Sequence, residues 1–550
     1  MKKNSLLKIG ICLGIATLFV DCTNLDEQVL DATETSKADP DVILNSAYVG
    51  LREFQQQDRM YALAEVSTDI IIVPTRAGDW GDGGAWLQDH KHTWNADSRE
   101  VNDSWKALLS SVYNCDLALA INGIAPAKKA QALFLKAFYY YNAIDLFGKV
   151  PYREVGSSPD DFPKLWDSPT ATAQIISMLE TALVDLPQKI SGDASVANKD
   201  AARFLLAKIY LNKAVFDSPT HTGFSANNAA NMTKAIQYID AMSSGTSLAN
   251  DYWDNFKPAN NSCPEIIFSS KNINGQQMGE IRRRWYMGAH YNQTPGGWNG
   301  FSVLTDFYNT FDPNDRRIKN NDQFNINNFG NPLGMQIAQQ YALAGTYDEI
   351  KVNGAGVYLL DADGKFDIVK DASNKPVKKA YAAGVYPLST RPVNGSFPLT
   401  FSSANLPQSG VLTVVADIEK FGIRPQKYIP DVTNIDKPEN DYVLMRYADA
   451  LIMKAEAILR GGTGSLGSAQ SQLQNRVGVT TILDLSTLAG VYKARGNELW
   501  LEGWRRNDMI RFGTFTTARV SMTNTAPHTV LMPIPTTALL NPNIKQNPGY

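Results

Sequence analysis

Residues Leu135–Pro151 read LKAFYYYNAIDLFGKVP, and together with Leu133 just upstream they carry apolar side chains at Leu133, Ala137, Tyr140, Tyr141, Ile144 and Phe147. Steps of three and four place these residues on one helical face, and Gly148 supplies a residue suited to the left-handed turn that ends helices. The segment therefore reads as an amphipathic helix that must be covered by neighbours. The same period recurs from Pro40 to Phe54 and from Ser98 to Ile121, where Trp105, Leu108, Leu109, Val112 and Leu119 share a stripe. Downstream, Ser168 and Pro169 predict a cap and a first-turn proline, opening a helix through Ile175, Leu179, Ala182 and Leu186 that Pro187 ends. Further helices are predicted from Asp200 and from about Asn228 to Met242, with Ala182, Ala202 and Ala207 small enough for close backbone approach. Consecutive helices of similar length on short connections predict a mainly α fold, a tetratricopeptide-like helical-repeat scaffold.

From Leu248 to Asn440 glycine, asparagine, proline and aromatic residues dominate and the helical period fades, which predicts a loop-rich insertion containing short strands. Helices resume at Leu444, where LMRYADALIMKAEAILRGG aligns Leu444, Tyr447, Ala448, Leu451, Ala455 and Ile458, and continue through Leu485 to Phe512. A scaffold interrupted once and then resumed implies that its two helical parts pack together and display the loops on one side.

The chain has 550 residues, 44% hydrophobic and 19% charged, with a net charge of −3, so it has ample material for a large core. Its dispersed charges make no field that would gather nucleic acid. Lys2, Lys3 and Lys8 precede an uncharged apolar run from Ile9 to Val20, the layout of a secretory signal and too short for a membrane span. Cys22 follows directly, in a pattern that resembles a bacterial lipobox with Asp21 where a small residue is usual, so cleavage before Cys22 and its lipidation are expected. Residues 1–21 are then a lipoprotein signal peptide and residues 22–38 a polar tether. Cys115 and Cys263 remain, and the sequence leaves their pairing open.

Four stretches together resemble the SusD/RagB family of nutrient-binding outer-membrane lipoproteins. They are LKAFYYYNAIDLFGKVP at Leu135–Pro151, LMRYADALIMKAEAILR from Leu444, NELWLEGWRRNDMIRFG at Asn497–Gly513 and PIPTTALLNPNIKQNPGY at Pro533–Tyr550; the LDEQVLD segment after Cys22 agrees in order and spacing. The resemblance implies a SusD-like division into an N-terminal helical-repeat region at 39–247, a ligand-binding insertion at 248–440 and C-terminal helices at 441–550 packing on the first. It further implies a non-catalytic protein, lipid-anchored in the outer membrane and facing the cell exterior. Such a protein captures oligosaccharides, or in RagB-like members peptides, for a SusC-like TonB-dependent transporter; no cofactor, metal-ligand set or nucleic-acid partner is read from the sequence, which leaves bound calcium open. Arg446, Glu456, Glu498, Glu502, Arg505, Arg506 and Asp508 lie on otherwise apolar helices and are read as structural ion pairs, because buried charges must find partners.

A sugar presents an apolar C–H face and a hydroxylated edge, so its site needs an aromatic plane beside amide, carboxylate or guanidinium groups. Two stretches supply both. RAGDWGDGGAW contributes Arg76, Asp79, Trp80, Asp82 and Trp86, with glycines that free the backbone. RRRWYMGAHYNQTPGGWNGF contributes Arg282, Arg283, Arg284, Trp285, Tyr286, Tyr291, Asn292, Trp298 and Asn299. The ligand-binding residues expected are Arg76, Asp79, Trp80, Asp82, Trp86, Trp285, Tyr291, Asn292, Trp298 and Asn299; for each tryptophan a core role is the alternative, as it is for Trp105, Trp500 and Trp504 on helical periods. Enzyme readings are weaker. His90 and His92 show no third metal ligand, GTGSLG at Gly462 follows a helix instead of a strand, and DADGKFD at Asp361 lacks a calcium loop's closing Glu and reads as a hairpin turn. Asp79 and Asp82 superficially suit a glycoside hydrolase, but a glycine loop preorganises them poorly.

Overall fold

Leu135–Pro151 falls in a helix that is buried on nearly all sides, from Pro126 to Phe147 (α5), with Pro126 in its first turn and Gly148 ending it at φ 66°. Within it the enclosed Tyr139 hydroxyl donates to the Ala47 carbonyl at 2.7 Å. Around it the computed structural model places α1 (Pro40–Val49), α2 (Arg59–Glu65), α3 (Ala85–Lys91), α4 (Arg99–Leu119), α6 (Ser168–Asp185), α7 (Lys199–Phe216) and α8 (Ala229–Asp240). It describes residues 39–550 apart from 156, 158–160, 223–227, 277, 393–395, 403–405 and 480–482. The signal segment, Cys22 and the tether lie outside the described residues. Among the described residues, no helix is long and apolar enough to cross a membrane.

Each helix from α4 to α8 packs on the next, as an array of helical pairs requires. The start of α6 differs by one residue from the expected cap: Asp167 is the N-cap, its carboxylate accepting the Thr170 N–H at 2.9 Å, with Ser168 and Pro169 already in the first turn. Asn198 caps α7 in the same way. The C-terminal α9 (Tyr447–Leu459) then packs against α7 and α8, and α11 (Leu488–Leu499), reached through α10 (Ala469–Val477), packs on α9. The run predicted from Leu485 to Phe512 is broken between α11 and α12 (Arg505–Arg511), because Leu501 and Gly503 both take positive φ. Trp105, Trp500 and Trp504 are buried, and one apolar core runs continuously through both helical parts. Cys115 and Cys263 are buried, unpaired thiols.

The ion-pair reading of the C-terminal helices holds. Arg446 reaches Glu265 at 2.8 Å, Glu498 at 2.7 Å and Glu502 at 2.6 Å, and Arg476, Arg317, Lys427 and Asp315 complete a buried network of four cations and four carboxylates. A second network links Lys208, Asp449, Arg495, Asp508, Arg511 and Glu456 across α7, α9, α11 and α12. Arg505 pairs with Asp69, and Arg506 with Asp145. These charges fix which helices meet.

The segment between α8 and α9 contains short strands, one-turn helices and loops, as its composition predicts. Its ends are pinned where Ile266–Ser270 pairs antiparallel with Tyr442–Arg446, which closes the insertion at its root. Asp361 forms a turn, its carboxylate accepting the Asp363 and Lys365 N–H groups beneath the Leu360–Phe366 bridge. GTGSLG lies in the connection after α9. Two further pairings position the site: Ile71–Ile72 runs antiparallel to Ser302–Val303, and Thr75–Arg76 runs parallel to Val411–Leu412.

Candidate functional site

The pairing of Ile71 with Val303 brings the chain leaving α2 beside the chain entering Ser302, so the two aromatic stretches converge although they are some two hundred residues apart. Between them opens a cleft of about 660 Å³, lined by Asp79, Trp80, Asp82 and Trp86 from the first stretch and Arg283, Tyr291 and Trp298 from the second. Gln57, Asp58, Arg99 and Arg391 complete the wall.

The aromatic side is built as a packed wedge. The Trp80 ring meets Trp86 at 5.6 Å between centroids and Phe301 at 5.6 Å, edge to face, and Trp86 meets Phe301 at 5.4 Å. Trp80 Nε1 donates to the Trp298 carbonyl at 2.8 Å, so one stretch is tied to the other through the indole itself. The Trp86 N–H is taken by the Asp82 carboxylate. Trp298 lies over Tyr286 at 5.5 Å and is approached by the Arg283 guanidinium at 5.9 Å.

The glycines do not loosen these loops, contrary to the flexibility their number suggests. A Cβ at Gly300 would fall 2.3 Å from the Trp80 indole, and one at Gly297 would fall 2.6 Å from the carbonyls of Tyr286 and Ala289; both positions need glycine for close approach. The backbone of the second stretch is cross-linked by Trp298 N–H to Tyr286 O at 2.6 Å, Asn299 N–H to Ala289 O at 2.8 Å and Phe301 N–H to Met287 O at 2.8 Å. In the first, Ala77, Trp80 and Asp82 all hold positive φ, of 49°, 61° and 39°. Non-glycine residues persist there only when their surroundings over-determine them, so this stretch is held in one conformation.

Four of the expected ligand contacts lie off the cleft wall. Arg76 is 1% exposed, its guanidinium donating to the carbonyls of Ile418 (2.7 Å), Phe421 (3.1 Å) and Gly300 (3.3 Å) and to Ser302 Oγ (3.0 Å). Burial pushes it down to about 9, and it serves as a rivet beneath the cleft. Trp285 is fully enclosed in the core, because the one-turn helix Arg283–Tyr286 turns Arg284 and Trp285 inward, and Asn299 is 1% exposed. Asn292 is exposed but spends its amide on the Ser389 carbonyl at 2.8 Å. Of the other arginines, Arg284 stacks inside on Tyr61 at 3.5 Å, while Arg282 and Arg283 share Glu280 at 3.2 and 3.3 Å and only Arg283 lines the cleft.

Arg391 carried no sequence signal, lying alone in a polar loop. Here its guanidinium stacks on the Tyr291 ring at 3.8 Å and stands 3.9 Å from Asp79, whose carboxylate also accepts the Tyr291 hydroxyl at 3.3 Å. Burial of Tyr291 and the Asp79 charge raise the phenol above its usual range. Gln57 and Asp58, at the end of the polar run QQQD, and Arg99, at the start of α4, were likewise invisible as site residues. The charged lining is Asp58, Asp79 and Asp82 against Arg99, Arg283 and Arg391, three of each sign. His90 and His92 lie apart from the cleft, buried against backbone carbonyls of Val66, Val520 and Ser67.

A profile described as the SusD family matches residues 238–550, more than half of the chain. The chain belongs to the SusD family. Residues 23–211 also match a family described as starch-binding and associating with the outer membrane. The curated starch-binding protein SusD of Bacteroides thetaiotaomicron is 25% identical over 465 residues, spanning 77% of this chain and 73% of that protein. Among solved structures, a SusD superfamily protein from Parabacteroides distasonis aligns with a TM-score of 0.64 at 17% identity, covering 93% of this chain and 98% of that one. Surface glycan-binding protein A from Bacteroides thetaiotaomicron, in complex with laminarihexaose, aligns at 0.61 and 17%, covering 92% and 98%. The helical scaffold of this SusD-family chain is thus shared with these structures.

Proposed function

We propose that this SusD-family protein is a non-catalytic, surface-exposed lipoprotein that binds an oligosaccharide in the Trp80–Trp298 cleft and passes it unchanged to a SusC-like TonB-dependent outer-membrane transporter. The observation that carries the reading is the convergence of Trp80, Trp298 and Tyr291 with three carboxylates and three guanidinium groups in one open hollow. Aromatic faces suit the C–H side of a sugar, and planar charged groups suit its hydroxyl edge in bidentate geometry. The balanced lining favours a neutral ligand over a strongly charged one. A relative named for starch binding and a neighbour carrying laminarihexaose support carbohydrate as the ligand class. Lipidation at Cys22 and outward orientation belong to the same proposal and draw on the signal-like start of the chain.

The cleft can act by binding alone. Asp79 is engaged by Tyr291 and Arg391, and Asp82 by the Trp86 N–H, so both expected carboxylates serve to hold neighbouring side chains. Calorimetry against a panel of neutral oligosaccharides, followed by chromatography of the mixtures, tests this: saturable binding with intact ligand is expected. Cleavage products would overturn the non-catalytic reading, and binding of peptides alone would overturn the carbohydrate one.

A further inference from the structure

Behind the cleft lies a polar chain that does not reach it. Glu419 is 1% exposed and His290 is fully buried, and neither lines the hollow. Glu419 accepts hydrogen bonds from His290 Nε2 at 3.0 Å, from the Arg391 backbone N–H at 2.8 Å and from Arg391 Nε at 2.6 Å. His290 Nδ1 in turn accepts the Asn292 N–H at 3.1 Å, which sets the tautomer, since the proton must then sit on Nε2 and point at Glu419. Burial lowers the affinity of this imidazole for a second proton, with Glu419 opposing. The Asn292 amide bonded to Ser389 O closes a second strap between the same two loops.

Resting on the binding reading above, we propose that Glu419 and His290 are positioning residues that hold Arg391 and Tyr291 as a preformed clamp at the rim of the cleft. The logic is geometric. Arg391 touches Glu419 on the buried side and Tyr291 and Asp79 on the cleft side. A flexible arginine loses rotamer freedom on meeting a ligand, and a buried carboxylate that already fixes its Nε removes that cost beforehand. Arg391 covers one face of the Tyr291 ring, and the Tyr291 hydroxyl is steered onto Asp79. Arg76 and Arg424 surround the Glu419 segment from below, donating to Ile418 O, Phe421 O and Glu419 O, so the support itself is pinned.

The test is a double-mutant cycle with laminarihexaose and maltohexaose as probes, read by calorimetry. Glu419→Gln and Arg391→Ala are each expected to weaken binding about tenfold, and the double variant no more than Arg391→Ala alone, because the first acts only through the second. Arg391→Lys keeps the charge but not the planar fork, and it is expected not to restore affinity. Independent losses that multiply to about a hundredfold, or wild-type affinity in Glu419→Gln, would overturn the proposal. A second measurement needs no ligand. In protein labelled with 3-fluorotyrosine, the fluorine resonance assigned by Tyr291→Phe should move in the same direction in Glu419→Gln and in Arg391→Ala, and a resonance unmoved by Glu419→Gln refutes the relay. Failure of the wild type to bind either probe counts against the binding reading, while the fluorine spectrum still decides the clamp.

Discussion

Replacing Trp298 by alanine separates ligand contact from folding more cleanly than any other change in the cleft. Both main-chain bonds of this residue, Trp298 N–H to Tyr286 O and Trp80 Nε1 to Trp298 O, survive the substitution, so only the indole is lost. That ring is partly buried, on Tyr286 and beside Arg283, and otherwise borders the hollow. A fully enclosed tryptophan cut to alanine costs about 3–5 kcal/mol, so a ring open on its cleft side should cost about 2. For a chain of this length the unfolding entropy is about 1 kcal/mol per kelvin, so the melting temperature should fall by only about 2 °C. An aromatic anchor at the centre of a binding site is worth about 1.4–2.7 kcal/mol, a ten- to hundredfold loss of affinity. Calorimetry on the folded variant beside differential scanning calorimetry gives both numbers. Unchanged affinity, or a melting temperature lowered by more than about 5 °C, would mean that the indole is a structural prop, and the argument for an aromatic platform would fail.

Trp285→Ala should show the converse, a stability loss of about 3–5 kcal/mol in chemical denaturation with affinity retained by the folded fraction, because its ring is enclosed in the core. Glu498→Gln should cost about 3–5 kcal/mol in the same assay, since it leaves Arg446, Arg476 and Arg317 with an uncompensated buried charge. Burial raises Glu65 to about 8, against about 4.5 in the unfolded chain, so between those values the folded protein holds the extra proton and stability falls as the pH rises. Denaturation of wild type and Glu65→Gln at pH 5 and pH 8.5 should show the variant losing less over this interval, by up to about 4 kcal/mol, and equal losses would refute the burial argument. Cys22→Ala should move the protein from the membrane fraction to the soluble one; undiminished attachment would contradict lipidation.

How far the sequence could be read depended on the range of the interactions involved. The period through Leu133, Ala137, Tyr140 and Ile144 and the stop at Gly148 are local, and α5 is where they predict. That Tyr139 is as deeply buried as Tyr140 follows from α5 being central to the array, which no one-face pattern conveys. Both aromatic stretches stood out from composition as candidates, since polar, glycine-rich segments holding tryptophans are unlike core. Which members face the hollow was not, because that depends on the pairing of Ile71 with Val303 and on the passage of residues 418–421 over Arg76. Distance in sequence likewise hid Arg391, Glu419 and His290: His290 meets Glu419, and Arg391 meets Asp79, across more than a hundred residues, so no local pattern joins them.

The crystal structure of the protein with its tightest-binding oligosaccharide tests the account most directly. A sugar ring should lie with its C–H face about 4 Å from Trp298 or Tyr291, its hydroxyls within hydrogen-bonding distance of Asp79, Asp82 or Arg391, and its glycosidic bonds intact. A ligand seated away from these side chains, or a cleaved one in the cleft, would contradict it.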